Sequence, residues 1–412
     1  MMFDPKAIRK DFPMFSEHPT MQGHPMVWLD NASTTFKPEC VIKEIDKYYR
    51  SETSNSHRGD YDLCYQMDQK VLAVRKRVAE FLNCEPREVV FTSGATASLN
   101  TVAYGYGLKF LQEGDEILIT EAEHASNVLP WFQIAKYTRC KVSYIPLSEN
   151  GRITSENLEK ALTPRTKLIS FAAVGNVLGY EEPIKELVRI AHEHGALVCL
   201  DGAQSVPHMK TDVRDLDVDF LAFSGHKMLG PTGIGVLYGK YDLLSKMDPF
   251  ASGGGNNDKF HMDCSVTFLP PPERFEAGTL NLAGILGLKP AIEYLENLGF
   301  DAIYEHEKKL KDYAVLKLKE TGNAEIFNED AEAGIVTFNI KGVFAQDAAT
   351  YLNSQGIACR SGQHCAKLLN QTYLNVPATV RASFYIYNTF EDVDVLATAV
   401  KNGGNYLDAY FI

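Results

Sequence analysis

Lys227 closes the segment Ser224-Gly225-His226-Lys227, which follows the apolar run 220–223. Lysine is seldom buried without a partner. At a buried strand end desolvation lowers the ammonium pKa and readies the amine to attack a carbonyl; the alternative is an amine that snorkels to solvent. Asp201 ends a second apolar run, 196–200, within Asp201-Gly202-Ala203-Gln204. A carboxylate there either caps a helix or keeps a heteroaromatic ring nitrogen protonated. Ser93-Gly94-Ala95-Thr96 turns from a strand into a helix, where free backbone N–H groups and the helix dipole suit a phosphate, although most such turns are structural. His124, in Glu121-Ala122-Glu123-His124-Ala125-Ser126-Asn127, has two acids just before it and reads either as an acid–base group or as a surface histidine. Cys365 lies in Arg360-Ser361-Gly362-Gln363-His364-Cys365-Ala366, where Arg360 and His364 favour a thiolate. A cysteine buried beneath a loop is the competing interpretation.

These residues need a scaffold that places strand ends side by side. Between residues 88 and 240 short β-branched runs alternate with amphipathic segments. Strands are expected at 88–91, 116–120, 141–145, 167–174, 197–200 and 220–223, and helices at 96–111, 126–136, 155–162 and 184–194. Such alternation implies right-handed crossovers and a mostly parallel sheet with helices on both faces. In sheets of this kind ligands collect beyond the carboxyl ends of the strands, where all these segments fall. After residue 290 the pattern changes to two long helices (287–298 and 301–320), a strand at 335–340, a helix at 346–355 and an extended segment at 379–387. The expected architecture is α/β: an N-terminal segment (1–25) packing on the small domain, a large domain (26–288), and a smaller α+β domain (289–412) carrying the Cys365 loop.

At 412 residues, with 45% hydrophobic and 23% charged residues, the chain has the composition of a globular protein with a sizeable core. A formal charge of -12 argues against a generic nucleic-acid or anionic-membrane binder. Neither a signal peptide nor a membrane span is recognisable, so a cytoplasmic location is expected. The eight cysteines are too scattered for a CxxC-type zinc site, and no metal is expected.

In order along the chain, a phosphate turn, a histidine, an aspartate and a lysine at successive strand ends fit a pyridoxal 5'-phosphate site. The sequence resembles the cysteine desulfurases of the class V aminotransferase family, within the fold-type I pyridoxal phosphate enzymes, and is most similar to their SufS-like branch. The resemblance runs nearly the whole chain, from Leu29-Asp30-Asn31-Ala32 through Asn55-Ser56-His57-Arg58-Gly59 to the stretch that begins Arg381-Ala382-Ser383-Phe384. Its most specific stretches begin at Glu123, Ser224 and Arg274 and include Arg360 through Ala366.

The resemblance implies that Lys227 carries the cofactor and shuttles protons, that Asp201 pairs with the pyridine nitrogen and that Gln204 meets the ring oxygen. His124 would stack on the ring. Thr96, Ser224 and His226 would hold the phosphate, with Thr279 reaching in from the partner of a homodimer. Ala95 stands where threonine is common, so one hydroxyl is missing and the helix N-terminus compensates. Asn176 and Arg381 would orient the substrate carboxylate, with Arg360 close by, and Cys365 would take the sulfur of L-cysteine as a persulfide and leave L-alanine. A SufE- or SufU-type acceptor feeding iron–sulfur cluster assembly is implied as well. Selenocysteine lyase, or another lyase or aminotransferase of the family, is the alternative on the same scaffold. Departures from the family's usual wording are Gly175, Gln363, Cys359 and the segment 253–266; Cys359 is expected to end a buried strand and to be inert.

Overall fold

The structure is a computed structural model and describes residues 3–56 and 59–403. His57 and Arg58, part of one stretch that carries the resemblance, and residues 404–412 of the expected small domain lie outside the described residues.

Seven strands form one sheet: β1 (Val89–Thr92), β2 (Glu116–Thr120), β3 (Lys141–Ile145), β4 (Thr166–Ala172), β5 (Leu197–Asp201), β6 (Phe220–Ser224) and β7 (Gly235–Gly239). Their order is β1-β7-β6-β5-β4-β2-β3. β2 to β6 run parallel to one another, whereas β7 is antiparallel to both β1 and β6. Every residue of β2, β6 and β7 is buried, as expected of strands covered on both faces. β3, at one edge, mixes buried with exposed positions.

Two features depart from expectation. β7 is an additional strand, because Gly235-Val236-Leu237-Tyr238 reads as a glycine-rich motif rather than as a strand. The helix expected at 96–111 is regular only over Ala95–Val102; it then widens into a π-type turn at Ala103–Gly107, which contains two glycines. A 21-residue helix, Asp62–Leu82, also goes beyond the sequence-based elements. From it the buried Arg75 forms a two-pronged pair with Glu276, each bond 2.7 Å, and donates to the Val89 carbonyl. Arg75 thereby holds the 273–279 segment, which bears Thr279, against β1.

The second layer is a four-stranded antiparallel sheet in the order Ala324–Ile326, Ile335–Ile340, Thr379–Ser383, Arg360–Gly362. Helices Phe300–Glu320 and Ala345–Ser354 pack on it, and Phe390–Asn402 packs on those two helices. The boundary drawn after residue 288 falls inside helix Leu282–Leu298, which packs on helices of the large layer. Near the N-terminus, Arg9 pairs with Asp392 and Phe12 packs edge-on to Tyr294 and Tyr387. Val27–Trp28 then pairs in parallel with Ile357–Ala358, and Asp30 bridges to Ser383. Residues 30–37 consequently run between the two layers, at the carboxyl ends of β5 and β6.

Candidate active site

Where the layers meet, a cavity of about 180 Å³ is lined by Ala95, Thr96, His124, Asn176, Asp201, Gln204, Ser224, His226, Lys227, Arg360 and Arg381, among others. Eleven of the thirteen residues singled out from the sequence therefore share one wall. The other two do not. Thr279 is exposed and within 3.4 Å of Asn55, outside the cavity of its own chain. Cys365 is exposed beside the cavity, and its carbonyl accepts a 2.7 Å bond from Ala125, next to His124.

The floor is built from adjacent strand ends. Asp201 is the last residue of β5, and Lys227 follows β6 by one short turn. Asp201 is buried; burial raises its carboxyl pKa, opposed by the Ala203 amide and by Lys227. Burial lowers the Lys227 ammonium to about 8, with Arg381 and Arg360 pressing the same way and Asp201 opposing. His124 is driven down to about 4 by burial and by Lys227, Arg360 and Arg381, and its Nδ1 accepts from the Ser126 amide at 3.1 Å. It is thus a neutral imidazole whose Nε2 carries the proton.

One end of the cavity is shaped for an anion. Gly94 has φ +149°, and a side chain on Gly235 would fall 2.5 Å from the Gly94 Cα, so only glycine lets β7 approach this turn. The Ala95 amide donates to Ser224 Oγ at 2.8 Å, and Thr96 Oγ1 lies 2.7 Å from Ser126 Oγ. His226 is held neutral, near pKa 4, by burial and by the nearby Lys227 and Lys37. At the other end, Arg381 Nη1 donates to the Asn176 carbonyl at 2.7 Å, and Asn176 Nδ2 donates to the His364 carbonyl at 2.8 Å.

Gln204 supplies a direct test of fit for pyridoxal phosphate. Its Nε2 is used by the Ala32 carbonyl at 2.8 Å, while its buried Oε1 has no partner among the described residues. Buried polar atoms are rarely left so. A ring hydroxyl beside Gln204, a pyridine nitrogen at Asp201, an aldehyde at Lys227 and a phosphate at the helix start would use all four features together. The residues fit the group.

His364 corrects an expectation. Burial, Arg381 and Arg360 push it down to about 3, so it is neutral and adds no positive charge to the Cys365 loop. Its Nε2 faces Thr379 Oγ1 at 2.9 Å, which makes it an anchor for the loop. Both His364 (φ +49°) and Cys365 (φ +59°) adopt the left-handed conformation that side chains rarely occupy. Burial drives the Cys359 thiol upward, away from the reactive thiolate.

Several supporting contacts had no signal in the sequence. Glu123 is buried and accepts from Thr120 Oγ1 (2.6 Å) and Asn127 Nδ2 (2.7 Å), clamping both ends of the turn that carries His124. The His226 carbonyl receives four donors: the Thr35 amide, the hydroxyls of Thr34 and Thr35, and Lys37 Nζ. These contacts fix the peptide preceding Lys227. They arise from the tertiary passage of residues 30–37 between the layers, which no local pattern announces.

Comparison with known proteins places this arrangement. The aminotransferase class-V family model matches residues 27–396. A protein of Halalkalibacterium halodurans named as a probable cysteine desulfurase is 45% identical over 98% of this chain and 99% of its own. Among solved structures, the cysteine desulfurase CsdA of Escherichia coli superposes with a TM-score of 0.90 at 36% identity, covering 98% of this chain and 99% of that one. A cysteine desulfurase of Thermococcus onnurineus gives 0.91 at 36% identity, with 98% of each chain covered.

Proposed function

This chain belongs to the class-V aminotransferase family, and we propose that it is a pyridoxal-phosphate-dependent cysteine desulfurase that converts L-cysteine to L-alanine and keeps the sulfur as a persulfide on Cys365. The observation that carries this reading is the convergence on one cavity of Lys227, Asp201 and a two-arginine wall, with an exposed cysteine tethered beside it. An aminotransferase or simple lyase has no use for that cysteine.

When bound, pyridoxal phosphate supplies an electron-withdrawing ring that acidifies the substrate's α-carbon. The chain does the rest. Asp201, buried beside Lys227, would pair with the ring nitrogen and favour its protonated form. Arg381 and Arg360 receive the substrate carboxylate and so fix which bond faces Lys227. The Lys227 amine, with its pKa near 8, takes the α-proton and returns a proton to the product. The neutral His124 ring lines the same cavity, where it would cover the bound ring and hold a proton at Nε2. Sγ of Cys365, as thiolate, attacks the substrate sulfur: the new S–S bond forms as the substrate's carbon–sulfur bond breaks. The electron pair of the broken bond stays with the substrate carbon, which is protonated to give alanine.

The exposed position of Cys365 suits transfer to a second protein, and a SufE- or SufU-type acceptor supplying iron–sulfur cluster assembly in the cytoplasm follows from the branch the sequence resembles. Thr279, outside its own cavity, is assigned to the cavity of a second subunit, which makes the working form a homodimer. Among the described residues no helix is long and apolar enough to cross a membrane.

The test is a visible spectrum of the purified protein before and after L-cysteine, with alanine and sulfide assayed in the presence of dithiothreitol. A cofactor band that shifts on cysteine, with both products in equal amounts, is the expected result. A bound cofactor without either product would send the substrate assignment elsewhere in the family. A second expectation concerns pH. Only the neutral amine attacks the cofactor's aldehyde, and its fraction grows as pH rises through the pKa. Covalent cofactor uptake by the apoprotein should therefore climb with a midpoint near 8 rather than 10.5. It should level off within about one pH unit above that midpoint. A rate still rising steeply at more than about one pH unit above that midpoint would contradict the assigned environment of Lys227.

A further inference from the structure

We propose that Ser33 is a positioning residue for the substrate: its hydroxyl, backed by Asp30, locks Arg360 and Arg381 into a single receptor for the α-carboxylate of an amino acid. The inference rests on the reading that these arginines take the substrate carboxylate, and it assigns what holds them.

Arg360 and Arg381 face each other across an antiparallel strand pair. Like charges at such positions repel, and Arg381 is only 2% exposed, so water does little to screen them. Ser33 Oγ sits between them. It accepts from Arg360 Nη1 at 2.8 Å and from Arg381 Nη2 at 2.9 Å, and it donates to Asp30 Oδ1 at 2.6 Å. Two lone pairs and one proton are thereby all used. Asp30 also lies 3.4 Å from Arg381 Nη2. The hydroxyl relays the carboxylate's negative charge to both guanidinium groups, yet Asp30 itself is not part of the cavity wall. A carboxylate placed directly between the arginines would neutralise them and compete with the substrate. A serine steadies them and leaves their charge in place.

The remaining donors are disposed accordingly. Arg381 Nη1 is spent on the Asn176 carbonyl and Nη2 on Ser33 and Asp30, while the buried Nε has no partner among the described residues. Arg360 is tied to Ser33 by Nη1, and no other side-chain bond is seen for it among the described residues. Without Ser33, Arg360 would be free to swing away from its like-charged neighbour, and the substrate would have to order both side chains itself.

The experiment compares L-alanine with ethylamine, the same amine without its carboxylate, as ligands of the holoenzyme followed by the cofactor's absorbance, alongside steady-state kinetics with L-cysteine. Ser33→Ala should weaken L-alanine about tenfold and raise KM for L-cysteine by a similar factor. Ethylamine affinity should stay within about twofold, and the loss should fall on KM more than on kcat. Ser33→Thr, which keeps the hydroxyl, should restore most of the affinity. Unchanged or tighter L-alanine binding in Ser33→Ala would overturn the proposal, because Ser33 would then be idle or a competitor. Equal weakening of both ligands would also overturn it, by making Ser33 a general structural element. Unchanged L-alanine binding in Arg381→Lys would instead sink the carboxylate site beneath the proposal, so the two failures are told apart.

Discussion

Lys227→Ala is expected to lower turnover of L-cysteine by roughly 10³–10⁴-fold or more, since one substitution removes both the covalent anchor of the cofactor and the proton-transfer group. Among the described residues Lys227 is the one lysine lining the cavity. The nearest candidate to replace it, Lys37, has its Nζ committed to the Thr35 and His226 carbonyls. Burial lowers Lys37 to about 7, so it is no stronger a base than Lys227. The variant should still fold: Lys227 follows β6 in a short turn whose preceding carbonyl is held by four donors that do not involve its side chain. It should also still bind the cofactor non-covalently, because Asp201, Gln204 and the Ala95 turn are untouched. Its visible band should move as free amines are added, and ethylamine should return a measurable part of the activity. Activity within tenfold of wild type, with an unmoved band, would mean that another amine does the chemistry.

How much of this was legible in the sequence follows from where each residue lies. Asp201 and Lys227 close runs of four or five apolar residues, and a continuous apolar run between turn signals marks a strand buried on both faces. The carboxyl ends of such strands are where ligands bind, so position along the chain was enough to pair these residues. β7 escaped because Gly235 and Gly239 bracket its apolar residues, and glycine speaks against a strand until the close approach to Gly94 is known. Helix Asp62–Leu82 escaped because its opening, Asp62-Leu63-Cys64-Tyr65-Gln66, lacks a side-chain cap and mixes polar with apolar residues. Ser33 and Asp30 lie on an irregular segment, and only its passage between two layers brings them to the arginines. The charge of His364 was misread for a different reason. Sequence shows a histidine next to a cysteine, but its burial against two arginines, which keeps it neutral, is a property of the folded site.

Cys365→Ala should separate the two halves of the reaction. With the thiol gone, the cavity keeps Lys227, Asp201 and both arginines, so L-cysteine should still bind and still shift the cofactor's absorbance. Alanine formation should fall on the order of 10³-fold, the scale on which single catalytic groups are felt. No persulfide should be detectable on the protein by mass. The exposed side chain makes this a clean substitution: Cys365 contributes nothing to the buried core, and its loop is anchored through the His364 ring and the Ala125 amide. The same variant distinguishes the alternative on this scaffold. Selenium leaves carbon more readily than sulfur, so elimination from selenocysteine depends less on a nucleophile to draw the chalcogen away. A desulfurase should therefore lose far more activity on cysteine than on selenocysteine when Cys365 is replaced. Equal retention on both substrates would assign the chain to the lyases of its family, with Cys365 a bystander. Equal loss on both would make the thiol the common acceptor of either atom.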